Sequence, residues 1–176
     1  MERKNYFKYF DPDNQLRPQL SKKILKIADK WDLAWEILEP INIATSKRSE
    51  IGLSRRLSAG QKTLYFFWYL DAQVENGGFI QFYFNQTDHY FPSIVEGMTM
   101  IKDKKMEKLL ADAEQLYQAN KKSFDRTKTM TGFSKLYQKM EGFEKLDNRY
   151  SKLRDKTISL IVTYIKDHPK EFGKFK

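Results

Sequence analysis

Apolar positions recur at helical spacing over most of the chain. The first run sets Ile24, Ile27, Trp31, Trp35 and Leu38 at i, i+3, i+7, i+11 and i+14, one stripe of an amphipathic helix. Ser21 is a suitable N-cap and Pro40 a suitable stop, which predicts this helix over residues 21–39. Ahead of it, Asp11-Pro12-Asp13-Asn14 reads as a turn, and Tyr6, Phe7, Tyr9 and Phe10 as an N-terminal arm, within residues 1–20, that docks on the body. Residues 42–56 are polar and irregular and read as a connection.

The next helix is signalled by its cap. Ser58 and Gln61 have the S-x-x-Q spacing in which each side chain satisfies an orphan amide of the other. The run Leu64 to Leu70 is continuously apolar and has the composition of a buried strand. The cap, the continuation through Ala72 and Val74, and a stop at Gly77-Gly78 favour a helix over residues 58–76. Apolar on nearly all sides, it is expected to be the axis of the core. A short helix follows over 79–86, another after Pro92, and an amphipathic one over 103–122 on Met106, Leu109, Leu110, Ala113 and Tyr117. Residues 123–134 show no period and read as a basic loop. From Asp147, helical spacing returns at Tyr150, Leu153, Thr157, Leu160, Ile161, Tyr164 and Ile165, until Pro169 ends it. No segment reads as a strand. The prediction is an all-α chain, one domain over 1–176, with six to seven helices around the aromatic-rich helix 58–76.

Composition agrees. Hydrophobic residues at 40% and aromatics at 15% suffice for a packed core, and a chain of 176 residues suits one domain. The absence of cysteine excludes disulfides, thiolate catalysis and cysteine-based zinc sites. No stretch reaches the roughly 18–20 apolar residues of a membrane span and the N-terminus has no apolar leader, so no membrane association is expected and the chain reads as cytoplasmic. The net charge of +9 is uneven: residues 101–176 hold 19 Lys and Arg against 11 Asp and Glu, residues 1–100 hold 13 against 12. Within the basic part, Lys121, Lys122, Arg126, Lys128, Lys135 and Lys139 face only Asp125 over residues 121–139.

The most unusual stretch is Glu75-Asn76-Gly77-Gly78-Phe79-Ile80-Gln81-Phe82-Tyr83-Phe84-Asn85, a glycine pair and several amides among large aromatics. Gly77 can take the left-handed conformation that closes the preceding helix, and Gly78 permits a close reversal. Gln81 and Asn85 fall on one helical face, and their amides can bond backbone groups left open at the reversal. The structural reading is a polar clamp on a helical hairpin; the functional one is a pocket near Glu75, Asn76 and Asn85.

Together with Leu57-Ser58-Ala59-Gly60-Gln61, the aromatic helix through Trp68-Tyr69-Leu70-Asp71-Ala72, Phe143 to Tyr150, and Tyr164 to Pro169, the block Asn76-Gly77-Gly78-Phe79-Ile80-Gln81-Phe82 with Asn85 resembles the DNA-mimic protein 19-like family, also called domain of unknown function 4375. The resemblance covers residues 57–172. It implies a mostly helical fold, a homodimer, and, as in the family's namesake, a DNA-binding regulator as protein partner. A duplex mimic needs ranked carboxylates, since DNA carries a charge every ~1.7 Å of its axis. A chain of net charge +9 lacks that surplus, so the fold is carried over ahead of the mimicry.

Other candidates carry less chemistry. His89 and His168 each follow an aspartate, but two histidines are too few for a metal site, and no metal or cofactor is expected. Asp71 and Glu75 form an i, i+4 carboxylate pair suited to acid and base work, with no evident nucleophile beside it. No catalytic residue is assigned. The basic stretch interleaves Phe124, Phe133 and Tyr137 with its cations, a composition that suits an acidic partner or nucleic acid. The reading is a non-enzymatic protein-interaction domain that regulates or neutralises a partner. A nucleic-acid-associated protein is the alternative and a hydrolase-like enzyme the minor one.

Overall fold

A computed structural model describes residues 3–45, 52, 54–85, 87–126 and 130–176. Among these the architecture is all-α, with seven α-helices, as the apolar spacing predicts. The first, α1 (Lys30–Thr45), starts later than expected and runs through Pro40. Ser21 instead caps a 3-10 turn at Lys22–Lys26, and Asp29 caps α1, its Oδ1 accepting from Trp31 N at 2.8 Å and Asp32 N at 3.0 Å. The buried stripe is Leu33, Ala34, Ile37, Leu38 and Ile41, which leaves Trp35 40% exposed.

The central helix α2 (Ala59–Phe84) begins with the predicted capping box: Ser58 Oγ accepts from Gln61 N, and Gln61 Oε1 from Ser58 N. Gln61 Nε2 also donates to Leu16 O and Phe172 O, so the cap ties together both ends of the chain. Leu64, Phe67, Leu70, Phe79 and Phe82 are fully buried, each worth roughly 1.5–3 kcal/mol of burial. Packed against α2 are α3 (Phe91–Met100) and, farther along, α6 (Glu141–Asp167); α4 (Lys104–Arg126) lies on α3 and α6. The expected basic loop over 123–134 is helical at both ends: α4 runs on to Arg126, and a short helix α5 (Met130–Lys139) begins at Met130. Phe133 and Leu136 give α5 its inner side at i and i+3, and Met140, just past its end, packs on the core with them. The last helix, α7 (Pro169–Phe172), leads into a two-residue strand β2 (Lys174–Phe175). That strand pairs in parallel with β1 (Gln19–Leu20), a contact between distant segments where no strand was expected.

The N-terminal segment packs on the body. Tyr6 is buried against Phe66 and Tyr90, and its N–H donates to Ser93 Oγ at 2.8 Å. Beneath this segment lies Lys62, 1% exposed, whose ammonium donates to the Tyr9 carbonyl and lies near the rings of Phe7 and Phe10. Burial pushes its pKa down to about 8.

Candidate functional site

The glycine-centred block forms a joint. The chain kinks at Gly77 and Gly78 while remaining helical on both sides, so the expected hairpin reversal is a bend within one helix. The left-handed residue is Gly78, at φ 71°, and not Gly77, at φ −160°. The kink exposes the Phe79 N–H, and Asp147 Oδ1 of α6 accepts from it at 2.8 Å. Burial drives the Asp147 pKa up, against the opposing pull of that N–H. Among the described residues, the Gln81 and Asn85 side chains bond no open backbone group. Instead Asn76 Nδ2 donates to Gln81 Oε1, and Gln81 Nε2 and Asn85 Nδ2 both donate to Gln73 Oε1. This amide ladder lies on the outer surface, where Asn76 and Asn85 are exposed.

One turn before the kink, Asp71 and Glu75 are drawn into a second tie to α6. Asp71 accepts from Tyr150 Oη at 2.9 Å and, in bidentate fashion, from Arg154 at 2.8 and 2.7 Å. Glu75 completes the set, 3.1 Å from Arg154 Nη1. Burial and the Asp71 carboxylate hold the Tyr150 phenol well above its ordinary pKa. The carboxylate pair considered for acid and base work is therefore held by an arginine and a tyrosine. His89 is buried with its ring on Tyr90, and His168 sits on Tyr164 at the end of α6; they occupy different elements. Among the described residues no group of three or more metal-ligating side chains converges. No helix there is long and apolar enough to cross a membrane.

The basic stretch is divided. Lys121 pairs with Asp125 at 2.7 Å, and Lys122 is exposed. Arg126 and Lys135 line one shallow cleft with Leu136 and Met140, of about 360 Å³. Lys128 lies outside the described residues, and Lys139 is the last residue of α5.

A different surface collects both charge and aromatic area. The chain's three tryptophans meet where α1 crosses α2: Trp31 and Trp35 lie 5.6 and 5.5 Å from Trp68, and Arg154 stacks on Trp31 at 4.3 Å. Along the outside of α1, Asp29, Asp32, Glu36 and Glu39 are all exposed, at i, i+3, i+7 and i+10. At 100° per residue they span an arc of about 80°, and at 1.5 Å per residue a row of about 15 Å. No described cation pairs with Asp32, Glu36 or Glu39, whereas most other carboxylates are engaged: Asp112 by Lys108 and Arg149, Asp155 by Lys30 and Trp31, Glu114 and Asp88 by Arg3. The sequence reading overlooked this row because it assigned Trp35 to the core. Acidic spacing along α1 was the signal that could have revealed it.

Fold and joint together define a class, an all-α domain in which a kinked central helix is tied twice to a long C-terminal helix. The chain belongs to the DMP19-like protein family, which residues 55–168 match. It is similar to the DNA mimic protein DMP19 of Neisseria meningitidis serogroup B, at 28% identity over 120 residues, 66% of this chain and 73% of that protein. Both ties lie within the matched segment and join residues far apart in it: Asp71 and Phe79 bond to Asp147, Tyr150 and Arg154. The α1 row precedes the segment that matches the family.

Proposed function

We propose that this chain is a non-enzymatic interaction domain that regulates or neutralises a partner protein, and that the outer face of α1 is where the partner docks. The observation that carries this reading is the row of exposed carboxylates, with Asp32, Glu36 and Glu39 paired to no described cation, beside the exposed edge of a tryptophan cluster. Tryptophan is the residue most enriched at binding hot spots, and unpaired charges set which partner is steered in. A row of four acids over about 15 Å advances about 5 Å per charge, against 3.4 Å along one DNA strand. It is matched to a short cationic element, such as the DNA-contacting surface of a DNA-binding protein. The similarity to a DNA mimic supports that class of partner. Engagement of Asp71 and Glu75 by Arg154 supports a binding role over a catalytic one. A homodimer acting in the cytoplasm belongs to the same reading.

The experiment is a native pull-down from cell extract with the intact chain and the D32K/E36K/E39K variant. A protein retained by the first, lost by the second and displaced by added duplex DNA is expected. Recovery of no protein, or equal recovery by both chains, rejects the proposal.

A further inference from the structure

A second charged feature lies at the seam where the two ends of the chain meet. Residues 17–26 and 169–175 run together along the β1–β2 pair and leave an open cleft of about 650 Å³. Its rim carries Arg17, Lys22, Lys26, Lys170 and Lys174, and its floor Leu25, Pro169 and Phe175. Every ionisable side chain in the lining is a cation. Glu171, next to Lys170, is engaged by Tyr164 Oη at 2.7 Å and Gly60 N at 3.1 Å.

Backbone fixes this arrangement. Lys174 N donates to Pro18 O at 2.8 Å, Lys22 N to Lys176 O at 2.9 Å and Lys176 N to Leu20 O at 3.0 Å. Gly173 makes the approach possible, since a Cβ there would stand 2.6 Å from Pro18 O. Five like charges held around one concavity repel each other and focus a positive field into it, a cost that an anion relieves. The volume falls within the ~300–1,000 Å³ of small-ligand sites. Cations at the rim and an aromatic ring with a proline in the floor fit a ligand that combines phosphates with flat rings.

We infer that this cleft binds nucleoside phosphates, as free nucleotide or as units of a single strand. The site is separate from the α1 carboxylate row, so its test does not depend on the partner protein. Fluorescence anisotropy of the intact chain with labelled ATP and labelled dT12 reads it, at 50 and 200 mM salt. Neutralising about four phosphates of a strand makes binding about 50-fold weaker at the higher salt. K22E/K170E, two exposed positions, weakens binding at least about tenfold while leaving the melting temperature in place. F175L weakens it at least about fivefold, the equivalent of one lost base stack. Tighter binding of dT12 than of ATP assigns the site to a strand, and equal affinity for the two assigns it to a free nucleotide. The inference is overturned if neither probe binds at 50 mM salt, if K22E/K170E or F175L binds like the parent, or if poly-glutamate competes as well as dT12.

Discussion

Replacing Lys62 by methionine should stabilise the protein at neutral pH, the reverse of the usual outcome for a buried residue. The side chain is 1% exposed, and its pKa falls from 10.5 to about 8 on folding because burial disfavours the ammonium. At about 1.4 kcal/mol per pH unit, that displacement costs about 3 kcal/mol while the lysine is charged. Methionine has a similar volume and avoids this cost, but leaves the Tyr9 carbonyl without the donor that Lys62 provides, a loss of about 1 kcal/mol. The net expectation is a gain of about 2 kcal/mol at pH 7. Its sign depends on pH. Between about 8 and 10.5 the unfolded parent holds the proton that the folded parent has released, so parent stability rises through that window while the variant is indifferent. The gap should close near pH 10 and reverse above it. Urea melts of both chains at pH 7, 8.5 and 10 give the gap directly, and other titrating groups cancel in the difference. A variant less stable than the parent at pH 7, or a gap independent of pH, would refute the reasoning.

Four further outcomes are expected from thermal and urea melts. Gly78→Ala should cost about 2–4 kcal/mol, since φ 71° disfavours any side chain and the new Cβ meets the Asp147 carboxylate; an effect below about 1 kcal/mol would contradict the joint. Asp71→Ala strands the buried Tyr150 hydroxyl, leaves Arg154 with Glu75 alone, and should cost about 2–3 kcal/mol. Asn85→Ala, by contrast, removes an exposed amide from the outer ladder and should change stability by less than about 0.5 kcal/mol. D32K/E36K/E39K should stay within about 1 kcal/mol of the parent, because among the described residues no cation pairs with these exposed acids; a larger loss would make them structural.

Signals confined to a few neighbouring residues were readable in the sequence. The Ser58–Gln61 capping box depends on a three-residue spacing, and it formed as expected. The apolar run from Leu64 was correctly a central helix because its length and cap outweighed its strand-like composition. Two errors came from local ambiguity. Around Trp31 two overlapping apolar stripes compete, and Pro40, read as a stop, is accommodated inside α1. The stripe that includes Ile37 and Ile41 is the one buried, which turns Trp35 outward. In the glycine pair, either residue can take positive φ, and the choice of Gly78 is set by Asp147, distant in the chain. The remainder had no local signal at all. The tie of Asp71 to Tyr150 and Arg154, and the seam between residues 17–26 and 169–175, join segments that only the packed fold brings together.

The α1 face is tested most directly by titrating the purified partner from the pull-down with this chain while duplex DNA is already bound to it. Competition measured by anisotropy of the labelled duplex should show stoichiometric release of DNA by the intact chain and none by D32K/E36K/E39K. Release that is equal for both chains, or a ternary complex in which DNA and this protein sit on the partner together, would contradict the account.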